Sequence, residues 1–194
     1  MTEDTAPRRR RADAQRNVDT LLDAAKTILA TYGVDAPAKQ ITDLAGLGVG
    51  TLYRHFPQRS DLVLAVLKRE IDACAAAAPE LAAAHDDPVA ALAAWLDRYT
   101  ALIATKQGLA AALQSGGPAH AGLITYFMER MEPAITELLV AALAAGAIRD
   151  DVSGADVLSA VPLLCMPVPG RGPEYSRRMV AVLVDGLRYQ PPPV

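Results

Sequence analysis

The sequence predicts an all-α chain of about nine helices, a three-helix head followed by a larger helical bundle. Three observations predict it. Apolar residues make up 52% of the 194 positions, aromatics only 5%, and alanine, the strongest helix former, is abundant. No stretch alternates apolar and polar residues as a half-buried strand would. Apolar residues instead recur at three-and-four spacing between clear stop signals.

In chain order, residues 1–16 read as a flexible basic arm, polar and without periodicity. The first helix is expected from about Asn17, a plausible cap, to Tyr32, with Val18, Leu21, Leu22, Ala25, Ile28 and Leu29 as its buried stripe and Gly33 as its stop. Pro37 fits the first position of a second short helix, in which Ile41, Leu44 and Ala45 share one face. Gly46 is placed to end that helix in the left-handed conformation. The apolar pattern resumes at Val49, Leu52 and Phe56 until Pro57 forbids continuation. Helix, glycine turn and helix make a helix-turn-helix, and 17–59 is read as a DNA-binding domain. Leu52 and Phe56 belong to its core. Gly50, Thr51, Tyr53, Arg54 and His55 stay on the other side, small or carrying donors, as a groove and its phosphates require. Gly46-x-Gly48-x-Gly50 could be taken for a nucleotide loop, but no strand precedes it and Thr51 stands where a third glycine is needed.

Residues 60–189 read as a helical ligand-binding and dimerisation domain. A fourth helix runs from near Ser60 to about Ala78 on Leu62, Val63, Val66, Leu67 and Ile71, with Pro79 closing or kinking it. Asp87 and Pro88 open the next, with Leu92, Trp95, Leu96, Tyr99 and Leu102 inward. A short helix is expected at 106–114, broken by Ser115-Gly116-Gly117-Pro118. A long helix follows over about Ala121–Ala145 with Pro133 inside, then one from the capping box Ser153–Asp156 to about Cys165. The last covers about Glu174–Tyr189, and 190–194 is a proline-rich tail. Val182 and Val184 fall on different sides of that last helix. Either the monomer closes over both, or a second copy covers one, making a homodimer through the two C-terminal helices.

Charge and chemistry narrow the function. The net charge is −3, yet residues 1–70 carry 11 basic against 9 acidic side chains and the remainder 8 against 13. Arg8, Arg9, Arg10, Arg11 and Arg16 lie together beside the helix-turn-helix, opposed only by Asp13. Such arginines neutralise phosphates or enter a narrow minor groove. Cys74 and Cys165 fit no metal spacing and read as reduced packing thiols, and the three histidines show no ligand pairing. No Ser/His/Asp, Cys/His or paired-carboxylate arrangement is visible, so neither an enzyme nor a cofactor or metal site is expected. No apolar run reaches the roughly 20 residues of a membrane span and no signal peptide is evident, so a cytoplasmic protein without a membrane partner is expected.

The run Ala45-Gly46-Leu47-Gly48-Val49-Gly50-Thr51-Leu52-Tyr53-Arg54-His55-Phe56-Pro57, with Arg59 and Asp61-Leu62, resembles the signature of the TetR family of bacterial transcriptional regulators. Leu21-Leu22-Asp23-Ala24-Ala25 and Tyr32-Gly33 match that family's first helix, and Val184-Asp185-Gly186-Leu187-Arg188 a common ending. The specific likeness covers about the first 70 residues. It implies a DNA-binding head, a dimerising body, and repression from a palindromic operator relieved by a small apolar ligand. By the resemblance, Thr51, Tyr53 and His55 meet phosphates or base edges, Val49 and Gly50 begin the groove-facing helix, and Arg59 meets a phosphate. Lys39 and Arg54 join Arg8 to Arg11 as further DNA-contact candidates. Gln58 and Gly48 depart from the family pattern, standing where a capping Ser or Asn and a Ser are common. The candidate ligand contacts are Trp95, Tyr99, Phe127, Met131, Leu163 and Met166. The competing reading is a helical dimeric interaction module without specific DNA binding.

Overall fold

The computed structural model describes residues 5–33, 35–109 and 121–188, and every regular element among them is a helix. These are α1 (Thr5–Tyr32), α2 (Ala38–Ala45), α3 (Val49–His55), α4 (Arg59–Ala84), α5 (Pro88–Gly108), α6 (Ala121–Ala144), α7 (Gly154–Leu164) and α8 (Pro173–Arg188). The chain divides into two compact units, with α1–α3 and α4 as far as Leu67 in the first, and Lys68–Lys106 with the chain from Ala121 onward in the second.

In the first unit, Leu21, Leu22, Ala25 and Leu29 of α1 are buried with Ile41 of α2, Leu52 of α3, Phe56, and Leu62, Val63 and Val66 of α4. Helix α1 starts at Thr5, well before the Asn17 cap. The arginines, alanines and glutamine of residues 8–16 are good helix formers, and Pro7 lies in the first turn, where its missing N–H has no helical partner to lose. Basic residues expected in a flexible arm are therefore on a helix. Gly33 ends α1 at φ 78°, its N–H donating to the Leu29 carbonyl at 3.0 Å.

Helix α2 starts at Ala38, and Pro37 stands at the N-cap position without a cap hydrogen bond rather than at the first helical position. The helix ends at Gly46 in the left-handed conformation, φ 66°. Its buried face differs from the one the sequence suggested. Ile41 and Thr42 are inside, whereas Leu44 is 55% exposed. Thr42 tolerates burial because its hydroxyl donates to the Lys39 carbonyl at 3.1 Å, so no polar atom is stranded. At α4, the Asp61 carboxylate accepts the Gln58 backbone N–H at 2.9 Å, supplying a terminal hydrogen bond although Gln58 is a weak cap. Helix α4 passes through Pro79 to Ala84 instead of closing at Ala78. The alanines on both sides favour helix strongly enough to absorb the loss of one backbone donor.

The second unit is built around aromatic side chains. Trp95 and Tyr99 of α5 are fully buried with Leu92 and Leu96, and Met131 and Ile135 of α6 with them. Each polar tip is satisfied: Trp95 Nε1 donates to the Cys74 carbonyl at 2.8 Å, and the Tyr99 hydroxyl to the Leu158 carbonyl at 2.9 Å. Helix α7 carries the expected capping box, with Ser153 accepting from the Asp156 N–H and Asp156 from the Ser153 N–H. Its first residue, Gly154, lies where a Cβ would come within 2.9 Å of Thr136 Oγ1 and 3.0 Å of Ile135 Cγ2, so α6 and α7 meet there with no room to spare. The Asp87 side chain accepts the Val89 N–H at 2.9 Å at the start of α5. Of the expected 106–114 helix, 106–108 end α5, while 110–114, the break that follows, residues 1–4 and the 190–194 tail lie outside the described residues.

Candidate nucleic-acid interface

Seven residues set the geometry of α3. Leu52 points into the core, Phe56 follows it there, and the helix therefore turns its opposite side outward. On that side Val49 is 38% and Tyr53 53% exposed, with Gly50 and Arg54 exposed beside them. Thr51 and His55 are half-buried at the margins, and the His55 ring lies 6.4 Å from that of Phe56. The start of α3 is held by the turn rather than by a side chain. Gly48 is extended, φ −78° and ψ 147°, and the Leu47 N–H donates to the Thr42 carbonyl at 2.9 Å.

The basic candidates other than Arg54 lie on α1, α2 and α4, in different settings. Lys39 sits near the start of α2, exposed and paired with both carboxylate oxygens of Asp43 at 2.8 and 2.7 Å. A pair so open to water is worth little and exchanges readily for a phosphate. Arg59 is the first residue of α4 and half-buried. Arg8, Arg9, Arg10 and Arg11 occupy the opening turns of α1; their side chains lie outside the described ones. Arg16 pairs with Asp13 one turn earlier. Leu44, which the sequence groups on one face with Ile41 and Ala45, is an additional apolar residue on the surface of α2. Only the burial of Thr42 in its place could have revealed this.

Comparison with known proteins fits this geometry. Residues 21–66 match the tetR family of bacterial regulatory proteins, and residues 87–189, more than half of the chain, match the C-terminal domain of SbtR-like transcriptional regulators. The chain belongs to the TetR family. A TetR transcriptional regulator of Streptomyces coelicolor is 32% identical, with a TM-score of 0.72 over 88% of this chain and 98% of that one. A TetR regulatory protein of Mycobacterium vanbaalenii is 34% identical, with a TM-score of 0.70 over 92% and 99%. An HTH-type transcriptional regulator of Staphylococcus aureus is 37% identical over 68 residues, so the chain spans only about a third of that relative, 35% of its length. These relatives are transcriptional regulators, not enzymes.

In the body of this TetR-family chain the six candidate ligand residues separate into two groups. Trp95, Tyr99 and Phe127 converge, with ring centroids 5.9 Å apart for the first pair and 5.8 Å for the second. Met131 is fully buried one turn beyond Phe127. Leu163 and Met166 are instead 69% and 58% exposed. Helix α7 buries Gly154, Val157, Leu158 and Val161, followed by Cys165, and this spacing leaves Leu163 on the far side. An open depression of about 730 Å³ follows α6 past Pro133, among Ile124, Met128, Glu129 and Glu132. A narrower one of about 310 Å³ lies between α5 and α8, floored by Val180 and Val184 and edged by Asp97 and Arg177. Neither is lined by any of the six.

Burial also explains the titratable groups of this body. It pushes the Cys74 thiol up to about 12, against a smaller opposing influence of Arg98, and raises Cys165 and Tyr99 as well. Neither Cys74 nor Cys165 is in a disulfide, and both stay protonated as packing groups. A polar cluster without any sequence signal joins α4 to α6: Asp72 accepts from the Tyr126 hydroxyl and from Arg130 Nε, each at 2.7 Å. Lys68 Nζ lies 4.9 Å from the Tyr126 ring centre. Burial first and the Asp72 hydrogen bond second raise the Tyr126 phenol above its ordinary value. No helix among the described residues is long and apolar enough to cross a membrane.

Proposed function

We propose that the protein is a sequence-specific DNA-binding regulator, a repressor that leaves a pseudo-palindromic operator when a small apolar ligand binds its body. The observation that carries this reading is the outward set on α3, where Val49, Gly50, Tyr53 and Arg54 are exposed on a helix anchored from behind by Leu52. One such helix is short. A homodimer presents two, roughly 34–36 Å apart, the spacing of successive major grooves on one side of a duplex. Thr51, Tyr53, His55, Lys39, Arg59 and the arginines at 8–11 are assigned to phosphates around that groove, and Val49, Gly50 and Arg54 to the base edges.

Dimerisation is assigned to α7 and α8. Its support is exposed apolar surface on both, Leu163 on the first and Val182, 62% exposed, on the second, although the inward residues Val161 and Val184 are already buried within the monomer. The ligand site is assigned to the packed aromatic centre at Trp95, Tyr99, Phe127 and Met131, whose side chains must part to admit a ligand, with Leu163 and Met166 reassigned to the dimer surface. A ligand that prefers the non-binding arrangement by roughly 1–3 kcal/mol shifts occupancy about 5- to 150-fold, enough for induction.

Selection of operators from random duplexes with the purified protein, followed by titration at rising salt, tests the reading. The expected result is a pseudo-palindromic consensus whose affinity falls steeply with salt as arginines and lysines displace counterions. Failure to enrich any sequence, or a monomer at every concentration in sedimentation, overturns it.

A further inference from the structure

The reading face of α3 contains a glycine that the protein itself does not need. Gly50 has no positive φ, unlike Gly33, Gly46, Gly146 and Gly170, so its backbone is open to any residue. A Cβ built on it meets no heavy atom within 4 Å, unlike one on Gly154. Within a helix a glycine is less favourable than alanine, so neither conformation nor packing nor helix propensity accounts for it. Gly48, Gly122, Gly172 and Gly186 are equally open. What sets Gly50 apart is its place on the exposed face of the second helix of the helix-turn-helix, where the surface that would come to van der Waals distance lies outside the chain.

Beside it on the same exposed face stands Val49, a side chain without a polar atom. The edges of base pairs in the major groove offer donors, acceptors and one apolar feature, the C5 methyl group of thymine. Thr51 is half-buried at the margin of this face, and its exposed donors begin one turn later, at Tyr53 and Arg54. We infer that Gly50 is the point of closest DNA approach and that Val49, brought down by that approach, reads a thymine methyl in each half-site. This rests on the DNA-binding reading and adds to it the chemistry by which the first bases are told apart.

The test uses the full-length protein and the duplex it selects. Each thymine of the selected duplex is replaced in turn by deoxyuridine, which removes the methyl and leaves the pairing and the O4 acceptor. One thymine per half-site is expected to matter, with about a fourfold loss for each methyl removed. In Val49→Ala that position should bind thymine and uracil alike. Gly50→Ala should lose about tenfold or more in affinity while its thermal midpoint stays level or rises, the opposite of what a packing glycine gives. Uniform tolerance of uracil, retained discrimination in Val49→Ala, or undiminished binding by Gly50→Ala each overturns the inference and leaves DNA binding standing. If the wild type enriches no duplex at all, DNA binding itself fails and the inference falls with it.

Discussion

Gly50 and Gly154 contrast the two units of the molecule. In the body, Gly154 is required from within, because Thr136 and Ile135 occupy the space its side chain would take. In the head, Gly50 faces open space, and nothing inside the chain restricts it. The same division holds for the large side chains. Trp95 and Tyr99 are fully buried and donate hydrogen bonds to backbone carbonyls, whereas Tyr53 and Val49 are exposed on a helix whose fold does not depend on them. Body residues are thus constrained by one another, whereas the exposed residues of the α3 face are left unconstrained by the rest of the chain.

Substitutions can break that contrast or sharpen it. Trp95→Ala should have the largest effect, a loss of about 3–5 kcal/mol in urea unfolding, from the cavity together with a stranded Cys74 carbonyl. A loss below about 1 kcal/mol would mean that the aromatic centre is not a packed core. Gly154→Val should cost about 1–3 kcal/mol, since α6 and α7 must move apart to admit it.

Ser153→Ala should cost about 1 kcal/mol by removing a side-chain cap from α7. The same box predicts a pH dependence. Hydrogen bonds from the Ser153 side chain and backbone hold the Asp156 carboxyl below its ordinary value of 3.8. Its stabilisation is therefore complete above the ordinary carboxylate range and is lost as the pH falls through the lowered value. Asp156→Asn should remove this component from the acid side of the stability profile.

Tyr53→Ala should have the smallest effect on stability, within about 0.5 kcal/mol, because the side chain is exposed. It should still lose most of the affinity for the selected duplex. A Tyr53→Ala protein that unfolds early would move this residue into the core and dissolve the contrast.

What was legible along the chain follows the range of the forces involved. The stop at Gly46, the start at Val49, the Asp87 and Ser153 caps and the buried run from Leu62 to Ile71 all appear where the sequence placed them. These depend on φ restrictions, capping hydrogen bonds and periodicity within a few residues. The early start of α1 and the passage of α4 through Pro79 depend on summed propensity, which a single cap or proline does not override.

From the sequence alone, then, came the all-helical architecture, the helix-turn-helix and the family, because these are carried by local spacing and by a contiguous motif. The tertiary structure decided which side of a stripe is inside: Thr42 rather than Leu44, Val161 rather than Leu163, and Trp95 and Tyr99 as core satisfied by backbone carbonyls. It also separated Gly154, which packing demands, from Gly50, which it does not. The physical reason is that burial and close approach are set by neighbours far away in sequence, and periodicity shows that a face is apolar without showing what lies against it.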